Sequence, residues 1–168
     1  RRSSDLDNEI RAIFLSGEGD AFSAGGDVKD MATKEDNSSL QEKTNSLRRI
    51  MGVSEQLYSL PIPTISFING PAAGAGFAIA LACDMRIATE NAKFVTAFSK
   101  IAFSGDFGGS YFLTKIIGTA KARELFYLSE TIDAKKAHEI GIINNLVATN
   151  EINEYTTNLK NKFRNLAP

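Results

Sequence analysis

Apolar and polar stretches alternate along the chain in a way that predicts short strands joined by helices. Two apolar, β-rich runs, at residues 10–15 and 64–68, predict strands of the core. Between them, apolar residues recur at near-helical spacing over residues 40–60, which predicts an amphipathic helix ending before Pro61. Because a helix connects the two strands, parallel pairing with a right-handed crossover is the simplest topology.

The rest of the chain continues the same alternation and predicts an α/β fold. A short helix, capped by Asp27, is expected to run through Met31, with a polar loop after it at residues 32–39. No repeat or linker divides the sequence, so a single core domain over residues 1–168 is expected. The further predicted elements are strands at 85–88, 93–96 and 142–147, and helices at 77–83, 110–117, 120–128, 134–140 and 151–166.

The junction between the strand at 64–68 and the helix at 77–83 is rich in small residues. Gly74, Ala75 and Gly76 precede the helix, so another group can approach the backbone closely there. The first amides of a helix have no partner within the helix and can donate to a negatively charged oxygen. Tight packing of helix on strand explains the same small residues equally well, so this junction alone leaves both interpretations open.

A second glycine-rich turn, at residues 21–27, follows the first predicted strand. Two backbone amides that converge on one carbonyl oxygen form an oxyanion hole, in which a single donor is worth ~3 to 4 kcal/mol. The reaction that such a site supports passes through an enolate and needs an acid or base to move a proton. Asp106 lies in an apolar stretch, where desolvation raises the pKa of a carboxyl group toward neutrality. Composition alone favours a helix cap for Asp106, because a helical run follows it.

Composition and charge exclude several other functions. The formal net charge of −1 argues against broad electrostatic attraction to nucleic acid or to an anionic membrane. No apolar run approaches the ~18 residues of a membrane span. The single cysteine, Cys83, forms no internal disulfide and is expected to be a core thiol. These features are typical of a soluble protein of the cytoplasm or, in a eukaryote, of an organelle matrix.

The single histidine excludes further reaction classes. His138 lies on a charged helical face, where a solvated side chain is expected, and no Gly-x-Ser-x-Gly turn accompanies it. Ser/His/Asp hydrolysis is therefore not supported, and neither is a serine peptidase. The sequence also contains no phosphate-binding loop, no metal-ligand cluster and no complete dinucleotide fingerprint.

Three motifs together resemble the crotonase superfamily, also known as the enoyl-CoA hydratase/isomerase family. They are AFSAGGD at residues 21–27, INGPAAGAG at 68–76 and ACDMRIA at 82–88, and agreement continues through residues 134–143. The resemblance covers nearly the whole chain and implies a spiral of repeated ββα units. Family members have further strands before the position of residue 10 and further helices after that of residue 168, so the resemblance implies that this core domain is incomplete at both ends. It also implies that the full-length protein forms a homotrimer or hexamer.

The resemblance implies a site that binds an acyl-CoA thioester, with coenzyme A as part of the substrate and no further cofactor. It assigns the oxyanion hole to the backbone amides of Gly26 and Ala75. It places the CoA along Ser23, Ala24 and Lys29, with the Ala24 carbonyl near the adenine and Lys29 near a phosphate. Family members often have a basic residue where this chain has Asp20, which lowers the expected strength of phosphate contact.

The departures from the family pattern bear on the type of reaction. Where hydratases of the family carry two catalytic glutamates, this chain has Ala78 and Phe98, and Phe98 is expected in the apolar wall of the substrate site. Asp106 matches an acidic position of family members that resemble isomerases, and one carboxylate suffices to carry a proton between carbons. Double-bond isomerisation is therefore favoured, with a hydratase and a non-catalytic acyl-CoA-binding protein as alternatives.

Overall fold

The structure is a computed structural model that describes residues 10–27, 33 and 37–166. The helix predicted after Asp27 falls on residues 28–32, outside the described residues, and so does Lys29. The strands are β1 Ile13–Ser16, β2 Thr64–Ile68, β3 Ala72–Ala73, β4 Met85–Thr89, β5 Lys93–Val95, β6 Ile132–Asp133 and β7 Asn145–Val147. The helices are α1 Leu40–Ser59, α2 Ala75–Ala82, α3 Gly109–Ile117, α4 Thr119–Leu128, α5 Ala134–Glu139 and α6 Ile152–Arg164, with 3-10 turns at Phe98–Ile101 and Thr149–Glu151.

The larger sheet is parallel and has the strand order β1-β2-β4-β7. β1 and β2 pair in register from Ile13 opposite Thr64, which confirms the predicted parallel pairing of these two strands. Every residue of β2 is buried. This is expected for a parallel strand that is covered on both faces, and it explains the unbroken apolar run in its sequence.

Successive strands pass between the larger sheet and a smaller one of order β3-β5-β6. After β2 the chain enters β3 and then α2, and after β4 it enters β5 before the next helical segment. The first turn of the chain follows the same path, because Ser23 forms a parallel bridge with Ala72 of β3. The architecture is therefore the spiral of ββα units that the resemblance implies.

The helix α2 is the centre of the core. It is apolar on all sides, as expected of a helix surrounded by protein, and six of its residues are buried: Gly76, Phe77, Ala78, Ala80, Leu81 and Ala82. Its far end is tied to the start of β2, since the backbone amide and the hydroxyl of Thr64 both donate to Asp84 Oδ2, at 2.8 and 2.9 Å. The end of the helix is thereby held close to the start of β2.

The starts of the first and last strands of the larger sheet differ most from the predictions. The last strand begins at Asn145 rather than at residue 142, because the amides of Ile142 and Ile143 donate to the Ala137 carbonyl and close the end of α5 instead. The first strand begins at Ile13 rather than at residue 10. None of the helices in the described part of the chain has both the length and the apolar character needed to cross a bilayer.

The helix α1 begins and ends as the sequence indicates, but most of its side chains remain exposed or only partly buried. Ser39 and Glu42 form a capping box at its start, and it ends at Ser59, before Pro61. Its apolar residues Leu47, Ile50 and Val53 remain 46%, 53% and 40% exposed. These three residues therefore do not enter the core, whereas Leu57 of the same helix packs against it.

Candidate active site

The two glycine-rich turns are joined by direct backbone hydrogen bonds. The amides of Phe22 and Ser23 donate to the Pro71 carbonyl at 3.0 and 3.1 Å, and the Ala73 amide donates to the Ser23 carbonyl at 2.9 Å. Segments far apart in sequence are thus held side by side. The start of α2 lies against the first glycine turn as a result.

Close contact between the turns requires glycine at two positions. A Cβ at Gly76 collides with the side chain of Ser23, and a Cβ at Gly25 lies 2.8 Å from the Ala73 carbonyl oxygen. Gly25 also has a φ of +85°, in the region that favours glycine. The structure therefore shows tight packing at these glycines, and access of a ligand oxygen to the backbone stays a prediction.

Among the described residues, the amides of Gly25 and Gly74 have protein acceptors, whereas those of Gly26 and Ala75 do not. The Gly25 amide donates to Ser23 Oγ at 3.2 Å, and the Gly74 amide donates to the Val95 carbonyl at 3.0 Å. Ala75 is the first residue of α2, so its amide lacks a partner within the helix. Within the described ranges, neither Gly26 nor Ala75 donates its amide to a protein acceptor. Both residues line the same cavity.

This cavity, which we call the junction cavity, has a volume of about 520 Å³. It brings together every predicted site residue that the structure describes: Ser23, Ala24, Gly26, Ala75, Phe98 and Asp106. The further lining is apolar and comes from α1, α2 and the segment after β5: Leu47, Ile50, Val53, Ile79, Ala97, Ile101, Phe103 and Phe107, with glycines of both turns. Lys29 lies outside the described residues.

Asp106 is the only ionisable side chain among the described residues that line the junction cavity. Its Oδ1 atom is buried and has no hydrogen-bond partner within the described ranges. Desolvation raises the pKa of the Asp106 carboxyl above its ordinary value, and a hydrogen bond from its own backbone offsets part of that rise. A carboxylate with a buried, unpaired oxygen in an apolar cavity is suited to accept a proton.

The helix-cap interpretation of Asp106 is wrong. The N-cap of α3 is Gly108, with a φ of 72°, and no side chain caps this helix. Asp106 contributes only its carbonyl oxygen, which accepts from the Gly109 amide at 3.0 Å. The carboxyl group is therefore not used to start the helix.

Buried apolar side chains occupy the two positions where the resemblance places the glutamates of hydratases. Ala78 is 1% exposed and lies beside Gly109, where a Cβ comes 3.1 Å from the Ala78 Cβ. Phe98 is 6% exposed and stacks on Phe126 with ring centroids 6.3 Å apart. Neither position supplies an acid or a base.

The residues that sequence reasoning missed belong to α1. Leu47, Ile50 and Val53 face the junction cavity, although their spacing indicated only a helix with an apolar side. A neighbouring cavity of about 810 Å³ shares Leu47, Ile50, Phe98, Phe103 and Asp106 with it and extends toward Lys43, Ser46 and Ser104. The space beside Asp106 therefore continues beyond the junction cavity.

Cys83 and His138 lie apart from this chemistry. Cys83 is 3% exposed, and burial raises the pKa of its thiol to about 11, which disfavours the reactive thiolate. His138 is exposed on α5, as predicted. Among the described residues, no group of three or more His, Cys, Asp or Glu side chains is arranged to hold a metal ion.

A ββα spiral with paired glycine turns at an apolar cavity defines a crotonase-type protein. The family model for enoyl-CoA hydratase/isomerase matches residues 3–168 of the sequence. The chain therefore belongs to the enoyl-CoA hydratase/isomerase family and has the crotonase fold.

Relatives with different activities resemble the chain to a similar degree. It is 38% identical over 137 residues to a 1,2-epoxyphenylacetyl-CoA isomerase of Escherichia coli, covering 82% of this chain and 52% of the relative. It is 34% identical over 163 residues to a short-chain-enoyl-CoA hydratase of Clostridium acetobutylicum, covering 96% and 61%. The crystal structure of an enoyl-CoA hydratase from Bacillus anthracis matches with a TM-score of 0.84 and 31% identity, covering 94% and 60%. The chain thus spans about half to three-fifths of the length of these proteins.

Proposed function

We propose that the protein is an acyl-CoA-transforming enzyme that stabilises a thioester enolate and moves a carbon–carbon double bond. The observation that carries this proposal is the unpaired Asp106 carboxyl in an apolar cavity shared with the unengaged amides of Gly26 and Ala75. Relatives that are named for CoA substrates support the thioester class.

The oxyanion hole consists of the Gly26 and Ala75 amides, which donate to the thioester carbonyl oxygen. As negative charge develops on that oxygen, the amides stabilise it more strongly, and each donor contributes ~3 to 4 kcal/mol to lowering the barrier. Ala75 adds the positive end of the α2 dipole. This stabilisation acts on the enolate more than on the bound substrate, and so it raises the rate of proton removal.

Asp106 carries the proton. Its carboxylate removes a proton from the α carbon of a 3-enoyl thioester, and the electron pair passes into a dienolate with its charge on the carbonyl oxygen. The resulting carboxylic acid returns the same proton to the γ carbon, which leaves a 2-enoyl thioester and restores the carboxylate. No water and no second acid are consumed, which suits a chain that has Ala78 and Phe98 at the two positions where the resemblance places the glutamates of the hydratases.

The remaining assignments concern the CoA. Ser23 and Ala24 lie at the edge of the junction cavity, and we assign them to the CoA path, with Lys29 as a phosphate contact. The acyl group is apolar, because apolar side chains such as Leu47, Ile50 and Phe98 line the same cavity as the amides. Coenzyme A enters as part of the substrate, and the proposed step needs no further cofactor.

A hydratase is the second candidate, because a relative of similar identity is a short-chain-enoyl-CoA hydratase. The Asp106→Asn variant of the full-length protein, assayed on 3-enoyl-CoA and crotonyl-CoA, separates the two. Isomerisation that depends on Asp106, without incorporation of labelled solvent oxygen, supports the isomerase. Incorporation of solvent oxygen by the wild-type protein identifies a hydratase, and tight binding of acyl-CoA without any turnover identifies a binding protein.

We further propose that the full-length protein forms a homotrimer or hexamer. The resemblance to the family supports this, and the 73% and 58% exposed side chains of Tyr127 and Leu128 offer apolar surface for contacts. Sedimentation of the full-length protein tests the assembly.

A reducing compartment, the cytoplasm or an organelle matrix, is the location that we propose for a chain with one buried thiol.

A further inference from the structure

The side chain of Asn69 links the two glycine turns at their base. Asn69 directly follows β2, and its Nδ2 donates to the carbonyl oxygens of Gly19 at 2.6 Å and Gly17 at 3.3 Å. Gly17 directly follows β1, the parallel neighbour of β2. One amide group therefore joins the ends of two adjacent strands at the point where both turns begin.

The orientation of the Asn69 amide is set by the turn that it contacts. Its Oδ1 is buried and has no partner within the described residues. The flipped amide places this oxygen against two carbonyl oxygens, which repel it, so only the observed orientation gives hydrogen bonds. The side chain thus leaves its own acceptor unpaired while both donor hydrogens hold the turn.

The contacts that follow along the chain are made by the backbone. Beyond Gly19, a Cβ at Gly70 collides with the Asp20 carbonyl, and the Phe22 and Ser23 amides reach the Pro71 carbonyl. Asn69 is the only side chain that hydrogen-bonds to Gly17 or Gly19 across the junction, within the described part of the chain. It begins the set of contacts that stops the two turns from sliding past each other.

The amides of Gly26 and Ala75 come from opposite sides of this junction. Gly26 belongs to the turn at residues 21–27, which follows the Gly17–Gly19 segment that Asn69 contacts, whereas Ala75 follows Asn69 on the same segment of chain. A shift of the first turn changes the distance between the two amides and leaves the apolar wall of the cavity in place. Interactions that matter mainly in the transition state are the most sensitive to such a shift.

We propose that Asn69 is a positioning residue whose side-chain amide sets the separation of the Gly26 and Ala75 amides. The role rests on the oxyanion hole of the proposed function but does not depend on which reaction follows. Its loss weakens polarisation of a bound thioester carbonyl and leaves acyl-CoA affinity nearly unchanged, because the apolar wall still holds the acyl group.

The test uses the full-length protein with the variants Asn69→Ala and Asn69→Asp, the second of which keeps the shape but lacks the donor. Asn144→Ala is the matched control. It also removes an asparagine side chain that bonds to the backbone, since Asn144 Oδ1 accepts from the Arg86 amide at 2.8 Å, but neither Asn144 nor Arg86 lines the junction cavity. The readout is the carbonyl stretching frequency of carbon-13-labelled crotonyl-CoA, together with its dissociation constant. Removing one oxyanion donor costs ~10²–10³ in kcat, so we expect a displaced donor to lower kcat about tenfold or more.

The proposal predicts that both Asn69 variants lose most of the frequency shift while binding crotonyl-CoA within about threefold of the wild type, and that Asn144→Ala keeps the shift. An unchanged shift in the Asn69 variants overturns it. Parallel loss of binding and shift, or failure of both variants to fold, assigns Asn69 to folding alone and also overturns it. A wild-type protein that shifts the carbonyl but isomerises no enoyl-CoA refutes the proposed reaction and leaves this role standing.

Discussion

Thr64 and Asp84, the residues at the start of β2 and just beyond the end of α2, hold each other through three hydrogen bonds. The Thr64 amide and hydroxyl donate to Asp84 Oδ2, and the Asp84 amide donates to the Thr64 hydroxyl at 3.0 Å. Thr64 is 0% exposed, so its polar atoms have no access to water. Loss of the Asp84 carboxylate leaves them unpaired in the interior.

The first prediction is that Asp84→Ala lowers the free energy of unfolding by ~2 to 4 kcal/mol. The substitution leaves the buried amide and hydroxyl of Thr64 without their carboxylate acceptor. Chemical denaturation of the full-length protein measures it. Asp133→Ala is the control, because Asp133 Oδ1 caps the exposed start of α5 through the Lys136 amide at 2.7 Å. Loss of an exposed cap costs ~1 kcal/mol, and equal losses in the two variants contradict the prediction.

The second prediction concerns the contact between Gly76 and Ser23. Gly76→Ala forces a methyl group into the Ser23 side chain, so we expect a loss of ~2 kcal/mol or more in stability together with loss of acyl-CoA binding. Adding Ser23→Gly removes the side chain that the new methyl group meets, so the double variant regains part of the stability and part of the acyl-CoA binding.

The matched control for this contact is Gly52→Ala, within α1. A Cβ at Gly52 meets nothing within 4 Å, and alanine is the better helix former. A gain of ~0.5–1 kcal/mol is expected. Equal destabilisation by Gly76→Ala and Gly52→Ala counts against a tight junction between the two turns.

The third prediction is a pH dependence carried by Asp106. Because burial raises the pKa of its carboxyl above the ordinary value of 3.8, kcat/KM falls on the acid side with an apparent pKa above 3.8. The same shift makes the carboxylate destabilising in the folded state. The cost is absent below the unfolded pKa, where the group is protonated in both states, and is fully present above the folded pKa.

Asp106→Asn therefore raises the thermal stability at neutral pH and not at pH 3, while it lowers turnover ~10²–10⁴-fold. The stability of the wild type and of the variant is measured from melting curves at neutral pH and at pH 3, and their turnover from rates as a function of pH. If the variant is less stable than the wild type at neutral pH, the carboxylate is not the desolvated group described above. Asp133→Asn, at an exposed position where the side-chain oxygen can still cap α5, provides the reference for a carboxylate outside the cavity.

The fourth prediction concerns the acyl group. Ile50 lines both the junction cavity and its neighbour, so Ile50→Phe narrows the passage between them. Each methylene that is excluded costs ~0.8 kcal/mol, so kcat/KM falls progressively with chain length, while a four-carbon substrate is little affected. Leu40→Phe is the control, at an 83% exposed position of the same helix. A uniform loss over all chain lengths contradicts this path for the acyl group.

The fold was predictable because its strands and helices have clear local patterns. The fully buried strand at Thr64–Ile68 has an apolar, β-rich sequence. The small residues at the start of α2 indicate that another segment of the chain packs closely there. The end of the chain was less readable. Residues 142 and 143 look like strand but bond to the end of α5, which depends on tertiary contact rather than on local pattern.

The site was only partly readable from the sequence. Whether Asp106 caps a helix depends on the backbone at Gly108, which no propensity determines, and the structure decides against the cap. The apolar stripe of α1 was visible, but periodicity gives the side of a helix and not what that side faces. Leu47 and Ile50 therefore emerged as cavity residues only from the packing.

A crystal structure of the full-length protein with an acyl-CoA bound tests the central claim most directly. The account predicts that the thioester oxygen lies ~2.7–3.1 Å from both the Gly26 and the Ala75 nitrogens. It also predicts the Asp106 carboxylate within reach of both the α and the γ carbon, about 3–3.5 Å away. A thioester oxygen bound elsewhere, or an Asp106 carboxylate turned away from the acyl group, contradicts it.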